Sequence, residues 1–201
     1  ATVKFTKIDG YNNQPMSGVS FALQKKGADG AWQAVTTVTT DRNGVFSWST
    51  KDTGTYRVIE NTPSGYVPVS GIEFTITAAM RGKTTYVGTS ELDGVAKAAV
   101  INERSLVDLT VHKVDGDDTT ESLAGAVFNL YDNNRTLLRS GITTNADGIA
   151  YVRDLPATVG DEKYYLVEAQ TPYGYHIDSS EWELIIVNGN TALAKAISIS
   201  S

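Results

Sequence analysis

Apolar and polar residues alternate along short stretches of this chain, and the alternation runs through charged residues at a few positions. In residues 3–9, VKFTKID, the period of two places Val3, Phe5 and Lys7 on one strand face and Lys4 and Thr6 on the other. Residues 107–113 repeat this, with Val107, Leu109, Val111 and Lys113 on one face. Two further segments, YRVIENTPSGY (56–66) and YYLVEAQTPYGY (164–175), predict strands that end in a Pro-x-Gly turn. Their inward positions are Tyr56, Val58 and Glu60, then Tyr164, Leu166 and Glu168. IEFTIT (72–77) and WELIIV (182–187) also predict strands, while ADG, DRNG and NADG mark turns. No segment of helical length sustains a period near 3.6.

The same blocks occur twice, in the same order. VKFTKIDG (3–10) returns as LTVHKVDG (109–116), MSGVSFAL (16–23) as LAGAVFNL (123–130), and TTDRNGVFSW (39–48) as TTNADGIAYV (143–152). The glutamate strands follow in both halves. Two domains are expected, 1–104 and 105–201, joined without a Pro-, Gly- or Ser-rich spacer. Short strands with turns between them, in units of about 100 residues, suggest two tandem immunoglobulin-like β-sandwiches and an all-β fold class.

An inward lysine has an ordinary explanation at a strand end, where its stem lies along the core and its ammonium reaches water. Two inward lysines matched by two inward glutamates also fit a buried ion pair in each domain, which stabilises little. A third residue separates these readings in the first half. Alternation along AKAAVINE (96–103) puts Ala98, Val100 and Asn102 on one face. Lysine, glutamate and asparagine on three core-facing strands form a reactive set. The amine of Lys7, made neutral by desolvation, could attack the side-chain carbonyl carbon of Asn102 while protonated Glu60 polarises the amide. The product is a Lys–Asn isopeptide bond between first and last strands, and Glu60 is a catalyst acting once.

Composition narrows the remaining classes. The 201 residues carry a formal charge of −6, which argues against a nucleic-acid surface. No apolar run approaches the ~18–20 residues of a membrane span, and no signal peptide precedes Ala1. There is no cysteine, so disulfides, thiol catalysis and Cys-ligated metals are excluded. The acidic loop DGDDTTE, with Asp115, Asp117, Asp118 and Glu121, lacks the spacing of a calcium loop and reads as a solvated turn. His112 and His176 have no visible ligand or triad partners, and no metal or other cofactor is expected. Trp32, Trp48 and Trp182 could form a carbohydrate platform, although packing is their commoner use.

On these residues the halves resemble CnaB-type (collagen-adhesin B) domains of Gram-positive pilins and surface adhesins. The resemblance rests on the E-box, a Tyr-x-x-x-Glu strand followed by Pro-x-Gly-Tyr. It is Tyr56, Glu60, Pro63, Gly65 and Tyr66 here, then Tyr164, Glu168, Pro172, Gly174 and Tyr175. The Lys-x-Asp of the first strands (Lys7 and Asp9, Lys113 and Asp115) and the SGVSF and AGAVF strands match as well. The resemblance implies Lys7 and Asn102 as the bonding pair, Glu60 as catalytic acid, and Lys113 and Glu168 as the equivalent positions. The second half departs from the pattern. Its last stretch, LAKAISISS, puts Ile197, Ile199 and Ser201 on one face, and serine supplies no amide; Asn188 and Asn190 fall in a turn that comes too early. Either the partner of Lys113 lies past Ser201 or this repeat has lost its bond.

What the resemblance implies of function is a structural or adhesive module of a Gram-positive cell surface: a minor (basal or ancillary) pilin, or a repeat in a wall-anchored adhesin. Such proteins are extracellular, joined to other pilin subunits or the wall by sortase, and able to meet a host matrix or cell-surface ligand. A Tyr-Pro-Lys linking motif of shaft pilins is absent, which favours a minor subunit. Beyond one self-crosslinking event, nothing here carries enzymatic turnover. The competing class is a carbohydrate-binding or accessory β-sandwich of a secreted enzyme, which an exposed coplanar aromatic pair would favour.

Overall fold

The computed structural model describes residues 1–186 and, as backbone, residues 195–200. The chain divides into two compact units, Ala1–Arg104 and Ser105–Ser201.

The first unit holds β1 (Thr2–Asp9), β2 (Ser20–Lys26), β3 (Trp32–Thr39), β4 (Val45–Ser49), β5 (Gly54–Glu60), β6 (Ile72–Ile76), β7 (Thr84–Tyr86), β8 (Ser90–Leu92) and β9 (Val95–Asn102). A single 3-10 turn, Ala78–Met80, lies between β6 and β7. One sheet runs β4-β1-β9-β8, with β7 also paired to β1; the other runs β3-β2-β5-β6. β1 pairs in parallel with β7 through Thr2–Lys4 and with β9 through Thr6–Asp9, so two strands share one edge of it. The inward residues of both sheets close one core, in which Phe5 and Phe46 stack at 4.4 Å and Phe21 meets Phe5 edge-on at 5.1 Å. Burial along β1 follows the sequence pattern, with Val3, Phe5 and Lys7 inside.

The second unit repeats the arrangement with β10 (Leu106–Val114), β11 (Val127–Tyr131), β12 (Leu137–Thr143), β13 (Ile149–Pro156), β14 (Tyr164–Gln170), β15 (Glu181–Leu184) and β16 (Lys195–Ser200). Its sheets run β13-β10-β16 and β12-β11-β14-β15, around a separate core that includes Leu109, Phe128, Leu130 and Leu166. Both units are therefore two-sheet β-sandwiches in which first and last strands are parallel neighbours.

Two glycines show why the turn motif recurs. Gly44 and Gly148 sit at φ +75° and +74°, and their carbonyls accept the backbone N–H of Lys7 and Lys113, each at 2.8 Å. A Cβ at Gly44 would lie 2.7 Å from the Pro15 Cβ, and one at Gly148 would lie 2.8 Å from the Lys113 carbonyl oxygen. Conformation and space both demand glycine there. One expected strand is shorter than its apolar run. WELIIV leaves the ladder after Leu184, because the N–H and C=O of Ile186 are taken by Thr158, at 3.0 Å to its hydroxyl and 2.7 Å from its N–H.

Candidate functional site

The parallel pairing of β1 with β9 sets the site. Lys7 lies opposite Val100 and Asp9 opposite Asn102, so Lys7 and Asn102 share the inward face one pleat apart. Glu60 ends β5 in the facing sheet, across from Phe21 of β2. The side chains of Lys7 and Glu60 are fully buried, and Asn102 is 0% exposed.

The carboxyl group of Glu60 bridges the other two. Its Oε2 stands 3.6 Å from Lys7 Nζ, and its Oε1 accepts a 2.7 Å hydrogen bond from Asn102 Nδ2. The same Nδ2 donates at 3.3 Å to the carbonyl of Val67, while Lys7 Nζ donates at 3.2 Å to Val100 O and at 3.4 Å to Ile8 O. Among the described residues Asn102 Oδ1 and Glu60 Oε2 have no hydrogen-bond partner. Leaving such atoms unsatisfied in a core costs about 1–3 kcal/mol each. Burial holds the Lys7 amine below its ordinary pKa of 10.5, although Glu60 and Asp9 pull the other way. A desolvated amine, a primary amide and a carboxyl group able to pass protons between them are thus gathered in one water-poor pocket.

A second group of buried polar residues adjoins the first. Asp9 Oδ2 accepts a 2.6 Å hydrogen bond from the Tyr66 hydroxyl and bonds of 2.9 and 2.8 Å from Nε and Nη2 of Arg104. Burial works against the Asp9 carboxylate, but Arg104, Tyr66 and the Tyr11 N–H together hold its pKa below the ordinary carboxylate value. Asp9 and Tyr66 belong to the motifs quoted above, without a role; Arg104 escaped notice. Extending the alternation of β9 from Asn102 by two residues would have found it.

In the second unit the described residues include the lysine and the glutamate of the site. Lys113 Nζ lies 3.7 Å from Glu168 Oε1 with both side chains fully buried, and Glu168 stands across from Phe128 as Glu60 does from Phe21. Glu168 Oε2 accepts the Asp178 N–H at 2.9 Å; among the described residues Lys113 Nζ and Glu168 Oε1 have no hydrogen-bond partner. Lys113 pairs with Ile199 as Lys7 pairs with Val100, so by register the counterpart of Asn102 is Ser201. Ser201, Asn188 and Asn190 lie outside the described residues, as do the side chains of Ile197 and Ile199.

The weaker candidates have local uses. Asp115 Oδ1 accepts the N–H groups of Asp117 and Asp118, and Asp118 Oδ1 accepts from Thr120, so the acidic loop is tied up in its own turns. Among the described residues no group of three or more His, Asp or Glu is spaced to hold a metal ion. His112 Nε2 hydrogen-bonds the Ser122 hydroxyl at 2.8 Å, and the carbonyl of His176 accepts from Thr171 at 3.4 Å. Trp48 packs against Tyr56, Trp182 against Phe128, and Trp32 lies beneath the guanidinium of Arg57 at 4.3 Å.

Comparison with known proteins agrees with this architecture. Residues 1–91 and 107–198 each match the family described as SpaA, prealbumin-like fold domain. Serine-aspartate repeat-containing protein D of Staphylococcus aureus (strain Newman) is 26% identical over 167 residues, covering 80% of this chain and 12% of that protein. Serine-aspartate repeat-containing protein F of Staphylococcus epidermidis is 27% identical over 178 residues, 82% of this chain and 9% of its own length. The chain thus spans a small part of these curated relatives. Among solved structures the Bacillus anthracis TIE protein superposes with a TM-score of 0.67 at 22% identity, over 98% of this chain and 33% of that one, a likeness of fold. The chain belongs to the SpaA prealbumin-like fold domain family, twice over, which is where the resemblance to Gram-positive pilins and surface adhesins led.

Proposed function

We propose that this chain is a structural and adhesive segment of a Gram-positive cell-surface pilus or wall-anchored adhesin, stiffened by a self-formed Lys7–Asn102 isopeptide bond. The observation that carries the reading is the buried bridge in which one carboxyl group, Glu60, faces the amine of Lys7 and holds the amide of Asn102. An ion pair serving stability alone has no need of the amide.

The chemistry follows from the contacts. Proton transfer from the Lys7 ammonium to Glu60 leaves two neutral groups, which the buried site favours over two charges. The amine lone pair then attacks Cγ of Asn102; a half-turn of the amide brings its unpartnered oxygen to the Glu60 oxygen that holds Nδ2, and the protonated carboxyl donates there as charge builds. Glu60 takes a proton from the attacking nitrogen and returns one to Nδ2. The Cγ–Nδ2 bond breaks, ammonia leaves, and the new Nζ–Cγ bond remains. One ammonia is lost per bond, and Glu60 is regenerated.

The bond joins the ends of the first unit mechanically. Force entering at Ala1 runs along β1 to Lys7, crosses to Asn102 and leaves at Arg104, bypassing the strands between. On this reading the full-length protein is extracellular, attached by sortase to other pilin subunits or the wall, as a minor pilin or adhesin repeat that meets a host matrix or cell-surface ligand. The carbohydrate-binding alternative is disfavoured because the three tryptophans are used singly, in packing or cation–π contacts.

Intact-mass measurement tests the reading. The mass is expected below the sequence mass by one ammonia, with a branched tryptic peptide joining Lys7 to Asn102. Glu60→Ala is expected to fold without the bond. A chain at full sequence mass would refute the crosslink.

A further inference from the structure

The Asp9–Tyr66–Arg104 group lies beside the reacting residues, and the contacts described above among Lys7, Glu60 and Asn102 do not run through it. Each member is close in sequence to one of them. Asp9 follows Lys7 by two residues on β1, Tyr66 follows Glu60 in the loop after β5, and Arg104 follows Asn102 by two residues past β9. A single carboxylate oxygen of Asp9 receives both the tyrosine hydroxyl and the guanidinium. Backbone contacts continue the tie. Val67 N–H donates to the Glu103 carbonyl at 2.9 Å, Gly10 N–H donates to the Asn102 carbonyl at 2.8 Å, and Tyr66 and Arg104 form an antiparallel bridge. The loop thereby delivers the Val67 carbonyl that holds Asn102 Nδ2.

We propose that Asp9, Tyr66 and Arg104 form a positioning clamp that ties together the three segments bearing Lys7, Glu60 and Asn102, and that sets the charge balance under which Lys7 attacks. This rests on the crosslinking reading above. Asp9 and Arg104 are both nearly inaccessible, at 3% and 4% exposure, so their charges act on each other and on the adjacent site with little screening by water.

The electrostatic consequence has a definite sign. The charged groups acting on Lys7 are Glu60 from β5 and Asp9 from its own strand, and Asp9 is in turn paired to Arg104. Tyr66 and Tyr11 are the phenols around that pair. Asp9 favours the Lys7 ammonium, the form that cannot attack, and Arg104 offsets it. Removing Arg104 therefore moves the onset of crosslinking to higher pH, and removing the Asp9 charge moves it to lower pH. Loss of the Tyr66 hydroxyl loosens the loop without changing the charge.

The test uses the whole 201-residue chain, recovered unreacted in denaturant and refolded by dilution across a series of pH values. Ammonia loss is followed by intact mass against time, and folding by circular dichroism. Tyr66→Phe is expected to slow crosslinking about tenfold at unchanged pH dependence, the loss of one hydrogen bond to a charged acceptor. Arg104→Met and Asp9→Asn are expected to shift the pH profile in opposite directions, a signature that general loosening does not produce. Folded variants that react at the parent rate and pH, or that both shift the same way, would overturn the clamp. Failure of the parent chain to lose ammonia would overturn the crosslink itself, and the clamp with it. If Arg104→Met does not refold, Tyr66→Phe, which removes one hydroxyl, carries the decision through its rate.

Discussion

Two buried lysines in this chain stand beside two buried glutamates at 3.6 and 3.7 Å, distances too long for a hydrogen bond. As ion pairs these are poor, since each charge loses water without gaining close contact. In the first unit the proposed crosslink to Asn102 would give the arrangement a purpose; in the second the lysine–glutamate pair can be tested by itself. Replacing both partners, Lys113→Met with Glu168→Leu, is expected to leave stability unchanged or raise it. Lys113→Met by itself is expected to cost about 3–5 kcal/mol, because it strands a buried carboxylate. Denaturant unfolding decides, and a single variant as stable as the parent would show that Lys113 contributes nothing by standing beside Glu168. Asp9 supplies a second residue-scale expectation. Its folded pKa is depressed, so its contribution is present above the unfolded value of 3.8 and is lost as pH falls through the lower folded value. Acid unfolding of the first unit should therefore be less steep in Asp9→Asn, and an unchanged acid transition would argue against a charged Asp9.

At the scale of elements, alternation was enough to assign faces and not enough to assign neighbours. Lys7, Glu60 and Asn102 were legible because each interrupts an apolar stripe at an inward position, and Lys113 and Glu168 were legible in the same way. Strand order was not, because parity says which face a residue takes and nothing about which strand lies alongside. The shared edge of β1, half on β7 and half on β9, left no periodic trace. The end of β15 departs from its apolar run for a related reason. Apolar residues mark burial whether the backbone pairs in a ladder or, as at Ile186, with a threonine side chain. Arg104 left no such mark, because it lies past the end of β9, where no apolar stripe remains to show that its position turns inward. Register now makes an element-scale prediction. If β16 serves β10 as β9 serves β1, Ser201→Asn with a short extension after it should place an amide within reach of Lys113. A second ammonia loss in that variant, absent from the parent, is the expected result. One ammonia lost in both chains would mean that register alone does not suffice.

The described residues form two cores, one per unit, and the Lys7–Asn102 pair belongs to the first. Heat should then produce two transitions instead of one two-state melt. A link from Lys7 to Asn102 closes nearly the whole first unit into a loop of roughly a hundred residues, worth about 4–5 kcal/mol in the chain-entropy description. For a domain of this size that corresponds to a midpoint higher by on the order of 20 °C or more. On the proposed chemistry Glu60→Ala prevents the link and also leaves the buried Lys7 amine without its carboxyl partner, so it should lower one calorimetric transition by at least that order and leave the other where it was. The same variant changes the response to force. If the proposed link forms in the parent, a pull on the two ends of the first unit loads a covalent bond between β1 and β9, and the intervening strands cannot be drawn out. In Glu60→Ala only the non-covalent pairing of β1 with β4, β7 and β9 and the packing of the core resist, and once these give way the whole unit extends. Single-molecule stretching should therefore show one extension event in the parent chain, from the second unit, and two in the variant. Two events in a parent chain whose mass shows the ammonia loss would mean that the bond does not lie on the path of the force.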